Sequence, residues 1–126
     1  MMVQPNKYLK ELGIDEHYWL FDEERRKTDK RYIPDEDGFV DAETFNLDMS
    51  FSMYIYSYLC YFRDNCLDGH PSSMTFEQWK SIIDKMIEGF KLQITTDNTW
   101  SISKNKQKKI NYGMRLFIKY YNHLWW

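Results

Sequence analysis

Apolar residues return at helical spacing in three successive stretches of the chain, and each stretch is crowded with aromatic rings. In the clearest, Trp79, Ile82, Ile83, Met86, Ile87 and Phe90 recur every three or four positions, while Lys80, Asp84, Lys85 and Glu88 take the opposite face. That is the pattern of a helix with one side in a core. Just ahead of it, Thr75-Phe76-Glu77-Gln78 matches a capping box, in which the Thr hydroxyl and the Gln side chain satisfy otherwise orphan backbone donors. The spacing and the cap together predict a helix over 75–92.

An earlier helix is predicted over 48–67, which contains no Gly or Pro. Phe51, Ile55, Tyr58, Leu59 and Phe62 fit helical spacing there, with Asp48 as the N-cap. Phe45, Leu47, Met49, Phe51, Met53 and Ile55 also alternate as in a strand, but the alternation collapses at Tyr54-Ile55-Tyr56 and length decides for helix. Tyr54, Tyr56 and Tyr61 place rings on the other faces, so this helix is expected to be contacted from several sides. The last helix is predicted over 104–124, capped by Ser103, with Ile110, Met114, Phe117, Tyr121 and Leu124 as its buried stripe. Gly113 costs such a helix about 1 kcal/mol and commonly permits a neighbour to approach closely.

The front of the chain is less regular. Tyr8, Leu9 and Leu12 give a short helix over 5–13 that stops at Gly13. Asp15-Glu16 and Arg25-Arg26-Lys27 place charges of the right sign at the two ends of a second helix over 15–27. The polar stretch 28–43, with Pro34 and Gly38, reads as a loop. At 94–103 the β-branched residues and Asp97-Asn98 allow a short hairpin or an irregular link, and the link is preferred. The expected fold is therefore mainly α: a compact, aromatic-rich bundle of about five helices. It forms a single domain over 1–126, with acidic N-terminal helices and a loop in 1–40 and a helical core in 43–126.

Composition sharpens this picture in two ways. Ten Tyr, eight Phe and five Trp among 126 residues suggest that rings, more than Leu or Val, fill the core. Net charge is −2 but divided, with 13 acidic and 7 basic residues in 1–50 against 6 and 10 in 51–126. No signal-peptide pattern opens the chain and no stretch is long and uncharged enough to span a bilayer, so the cytoplasm is the expected location and no membrane partner is expected. Cys60 and Cys66, six apart on one helix, are poorly placed for a disulfide and read as thiols.

Motifs with chemistry are scarce. Asp35-Glu36-Asp37-Gly38-Phe39-Val40-Asp41 resembles a calcium loop, but aligning it on Gly38 puts Ile33 and Thr44 at two required ligand positions. Cys60, Cys66 and His70 lack zinc spacing. No triad, nucleophile elbow or phosphate loop is found, so neither an enzyme nor a metal or other cofactor is expected. The most suggestive surface is a mixture of cations and rings, Lys104, Lys106, Lys108 and Lys109 with Tyr120 and Trp126, the combination used to bind single strands. A sequence pI of about 5.9 counts against a nucleic-acid footprint for the whole chain.

Three groups of residues, read together, resemble a family of small tailed-phage proteins. They are Glu43-Thr44-Phe45-Asn46-Leu47-Asp48, then His70-Pro71 with Thr75-Phe76-Glu77-Gln78-Trp79 and Ile83-Asp84-Lys85-Met86-Ile87-Glu88-Gly89-Phe90, and lastly the closing segment from Gly113 to Trp125. The resemblance covers about 38–126, with Phe45 where the family pattern has Trp. It implies an infected bacterium's cytoplasm and a non-enzymatic protein that binds a host protein stoichiometrically, such as a component of host defence of the CRISPR type. Nucleic-acid binding through the C-terminal lysines and self-assembly into a homo-oligomer are the alternatives. Exposed Tyr18, Trp19, Tyr32, Tyr120 or Trp126 would favour a protein partner.

Overall fold

The computed structural model describes residues 3–96 and 102–125. Among them are six α-helices and three 3-10 turns, with no strand, so the mainly α class holds. The chain divides into two compact units, Met1–Ser57 and Tyr58–Trp126. Because 51–57 carries no charge, the divided charge of the sequence follows this boundary: the first unit is acidic and the second basic.

In the first unit, α1 (Lys7–Glu11) begins where Asn6 Oδ1 accepts from the N–H groups of Tyr8 and Leu9, both at 3.1 Å, and the chain leaves it through Gly13 at φ 83°. The helix expected over 15–27 is broken. A 3-10 turn (Trp19–Phe21) buries Leu20 and Phe21, and α2 (Glu23–Thr28) then starts from Asp22, whose carboxylate accepts from Arg25 N–H at 3.0 Å. Four consecutive large residues, Tyr18 to Phe21, have no helical period, and the tighter turn lets two of them point inward together. The charge logic survives within α2, which has Glu23 and Glu24 in its first turn and Arg25, Arg26 and Lys27 in its last.

The stretch 28–43 is more than a loop. A 3-10 turn (Lys30–Tyr32) buries Tyr32, and α3 (Asp41–Thr44) buries Ala42 and Glu43. Between them, Asp35 Oδ1 accepts from the N–H groups of Asp37 and Phe39, both at 2.9 Å, around Gly38 at φ 90°. That carboxylate holds its own turn, the ordinary role of Asp in such a sequence. Glu43, buried, accepts from the N–H of Val3 at 3.3 Å.

Helix α4 (Leu47–Asn65) contains the boundary between the units, and Asp48 lies in its first turn rather than at its cap. Its buried positions correct the expected face. Ser50, Ser52, Met53, Tyr56, Ser57, Leu59 and Cys60 are inside, whereas Phe51 and Tyr58 are exposed. Two of the three serines are accommodated by hydrogen bonds: Ser50 Oγ donates to the Glu43 carbonyl at 2.8 Å, and Ser57 Oγ donates to the Met53 carbonyl at 2.7 Å while accepting from Asn6 Nδ2 at 2.9 Å. Small side chains with satisfied hydroxyls can face a close neighbour where a ring would not fit. The core is correspondingly less aromatic than composition suggested. Among the described residues most of the buried apolar side chains are aliphatic or Met, and Tyr8, Phe21, Tyr32, Tyr56, Trp79 and Phe90 contribute the rings.

In the second unit, α5 (Phe76–Thr95) carries the capping box in full: Gln78 N–H donates to Thr75 Oγ1 at 3.1 Å, and Thr75 N–H donates to Gln78 Oε1 at 2.9 Å. It runs past the expected end at 92 because Ile94 is also buried. Helix α6 (Lys104–Lys119) starts at Ser103 as predicted and ends at Tyr120, ahead of a 3-10 turn (Tyr121–His123). Helices α5 and α6 pack with Gly89 against Gly113, and the buried seam of α6 is Ile110, Gly113 and Leu116. Tyr121, expected inside, is exposed, because the seam is centred on the glycine where the backbones meet. The alternatives of hairpin or link at 94–103 fall on 97–101, which lie outside the described residues; 94 and 95 belong to α5.

Candidate binding surfaces

The first surface lies on α4 alone and follows from its helical register. Leu47, Phe51, Tyr54, Tyr58 and Tyr61 are spaced four, three, four and three apart, which places them in one stripe. All five are exposed, the four rings by 49%, 40%, 60% and 51% in sequence order. At about 200 Å² per ring this is roughly 400 Å² of aromatic surface, a size that on soluble proteins is often functional. No charged residue occurs from 49 to 62, so along α4 itself no charge interrupts the four rings. Sequence reading placed two of these rings in the core. The signal that could have found them is the second stripe itself, which competes with a face of small residues on the same helix.

The second surface is α6, which has six cations and no carboxylate. All six are exposed, and none is in an ion pair with a described residue. Lys104, Lys108, Arg115 and Lys119 fall in one sector of the helix, away from Gly113, and Tyr112 stands beside them, exposed, with Lys85 Nζ 5.9 Å from its ring centroid. Lys106 and Lys109 emerge on the other side of the first turns. The expected cluster is thus split. Tyr120 is half-buried, with its ring 5.7 Å from Trp79 and 6.1 Å from that of His123, so it is committed to packing; Trp126 lies outside the described residues.

A cleft of about 610 Å³ opens in the first unit among Trp19, Arg25, Arg31, Tyr32, Phe45 and Asn46. Its rings meet edge-on, Trp19 to Tyr32 at 6.5 Å and Trp19 to Phe45 at 6.2 Å. Both arginines already have partners. Arg25 Nη1 donates to Tyr32 Oη at 3.1 Å, and Arg31 grips Asp29 through Nη2 at 2.7 Å and Nε at 3.1 Å. The bonds from Arg31 hold the Asp29 carboxyl at about 2, below the usual carboxylate range, and Asp29 in turn raises the Arg31 guanidinium. An anionic ligand would have to compete with these contacts. In the second unit, Arg63 bonds Asp64 at 2.9 Å and Asp84 at 3.4 Å, and its pKa is raised by the same kind of pairing.

Of the groups considered for metal or thiol chemistry, Cys60 is buried and Cys66 half-buried, neither in a disulfide, and His70 sits exposed with Nδ1 2.8 Å from the Pro71 carbonyl. Asp15, Glu16 and His17 bring three ligand atoms within 4.8 Å of one another at the surface, which is common among acidic side chains on a turn. Of the residues whose exposure would favour a protein partner, Tyr18, Trp19 and Tyr120 are half-buried and Tyr32 is buried, so none of the described ones gives that support. No helix among the described residues is long and apolar enough to cross a membrane.

Comparison with known proteins adds no relative: no family model matches the chain, and neither a curated protein nor a solved structure does.

Proposed function

We propose that this chain is a non-enzymatic protein-binding module that acts stoichiometrically through the exposed face of α4. The observation that carries this reading is the charge-free stripe of Leu47, Phe51, Tyr54, Tyr58 and Tyr61. Spacing of alternating three and four is that of a helix-packing seam, so the fitting occupant is a helical segment of a partner protein laid along α4. Tyr and Phe suit such a contact because they supply large, stiff surface, and Tyr keeps a hydroxyl for the wet rim. The resemblance to small phage proteins supports a host protein as that partner, in an infected bacterium's cytoplasm, with a defence component such as a CRISPR nuclease as the expected class.

The experiment is capture from bacterial cytosol with the tagged chain and with a Phe51→Ser/Tyr58→Ser variant, with nuclease added, followed by reconstitution from the purified partner. One protein held at near-equal amount by the first and lost by the second supports the reading. Retention by both chains, or a partner that fails to bind once purified, overturns it. If sedimentation instead shows the chain pairing with itself through α4, self-assembly replaces a host partner.

A further inference from the structure

Helix α6 places two of its six cations where they weaken the helix. Lys104 and Lys106 lie in the first turn, at the positive end of the helix dipole, with no acidic residue among them. Helices that need only solubility mix both signs and put cations last, as α2 does. An arrangement that opposes the helix's own stability makes sense when an external anion meets it.

The geometry narrows the anion. Lys104, Lys108, Arg115 and Lys119 form one row whose ends are about 22 Å apart along the axis. Tyr112 follows Lys108 by four and precedes Arg115 by three, so its ring stands within the row, 45% exposed. Lysine is depleted from the core of protein interfaces but is a standard phosphate ligand, which favours a phosphodiester backbone over an acidic protein. A membrane surface would require the apolar face of α6, which is spent on α5. A helix set into duplex DNA contacts phosphates on both flanks of the groove, whereas a single row beside a ring matches one strand with an unstacked base.

We propose that the solvent face of α6 binds single-stranded nucleic acid without sequence preference, with phosphates on Lys104, Lys108, Arg115 and Lys119 and a base stacked on Tyr112. The inference rests on α6 alone and does not depend on the α4 face.

Anisotropy of a labelled oligothymidylate of about twelve nucleotides, read on the full chain from about 50 to about 300 mM salt, tests it. Four phosphate contacts on a single strand give a slope of log affinity against log salt of about −3. Lys104→Glu/Lys108→Glu should weaken binding at least about tenfold and roughly halve that slope. Tyr112→Ala should weaken it about 5- to 150-fold and leave the slope unchanged. Lys80→Glu/Lys91→Glu, on the exposed face of α5, should change little. All these positions are exposed, and circular dichroism confirms that each variant is folded. The proposal is overturned if the oligonucleotide fails to bind at the lowest salt. Equal or tighter binding of a duplex of the same length, of polyglutamate or of phosphatidylserine vesicles overturns it too, as does equal loss in the α5 control.

Discussion

Gly113 meets Gly89 backbone to backbone. A Cβ on Gly113 would lie 2.8 Å from the Gly89 Cα and 2.7 Å from the Lys85 carbonyl oxygen, and one on Gly89 would lie 2.9 Å from the Gly113 Cα. Neither obstacle can rotate away, because all are main-chain atoms. Gly113→Ala gains about 1 kcal/mol in helix propensity but forces α5 and α6 apart, and overpacking of this kind costs about 1–3 kcal/mol or more. Urea unfolding should therefore show either single alanine variant to be less stable than the parent. The double variant should lose less than the sum, since the first substitution already separates the helices. Gly69→Ala, with nothing within 4 Å of its Cβ, should be close to neutral.

The capping box of α5 yields a coupled pair. Thr75→Ala and Gln78→Ala should each lower stability, the first by about 1 kcal/mol. A double-mutant cycle should return a positive coupling, because each side chain accepts from the other residue's N–H.

Asp29 offers a titration. Its folded pKa is held down, so the favourable pairing with Arg31 is complete above the ordinary value of 3.8 and is lost as pH falls through about 2. Carboxyl carbon shifts recorded against pH should place the Asp29 midpoint near 2, and Arg31→Gln should move it back toward 3.8. A midpoint that ignores the substitution would show that Arg31 is not the cause.

Exposed rings on α4 should be dispensable for folding. Phe51→Ser and Tyr58→Ser should change unfolding free energy by within about 0.5 kcal/mol, as surface substitutions do. Cys60→Ser and Met53→Ala, on the buried side of the same helix, should be plainly destabilising, Met53→Ala by about 2–5 kcal/mol. If the two faces responded alike, the stripe would be part of a core and not a surface.

Helix α4 shows why half of its own story was illegible in sequence. Phe51 and Tyr58 carry far more apolar area than Ser50 and Ser57, so a reading by apolarity sends the rings inward. Burial is decided by fit as well as by transfer free energy, and the serine hydroxyls find acceptors in the Glu43 and Met53 carbonyls. The Met53 carbonyl is one turn back on the same helix, but the Glu43 carbonyl and the Asn6 amide reach the serines only after the chain has folded. The same holds on α6. The lysines and their division into a row with Arg115 and Lys119 and a separate pair at 106 and 109 follow from helical spacing, but that the row faces solvent depends on Gly113 turning toward α5.

By itself the sequence determined what local physics controls. It set the existence of α4, α5 and α6, the capping box at Thr75, the cap at Ser103, the stop at Gly13, and the split of acidic from basic halves. These depend on residues within a turn or two of each other, so spacing and donor–acceptor chemistry suffice. Tertiary structure alone decided the break at Trp19–Phe21, the burial of Tyr32 and Glu43, the serine-lined side of α4 and the glycine-centred seam of α6. Each of these is settled by how closely distant segments approach, and hydrophobic pattern carries no information about distance.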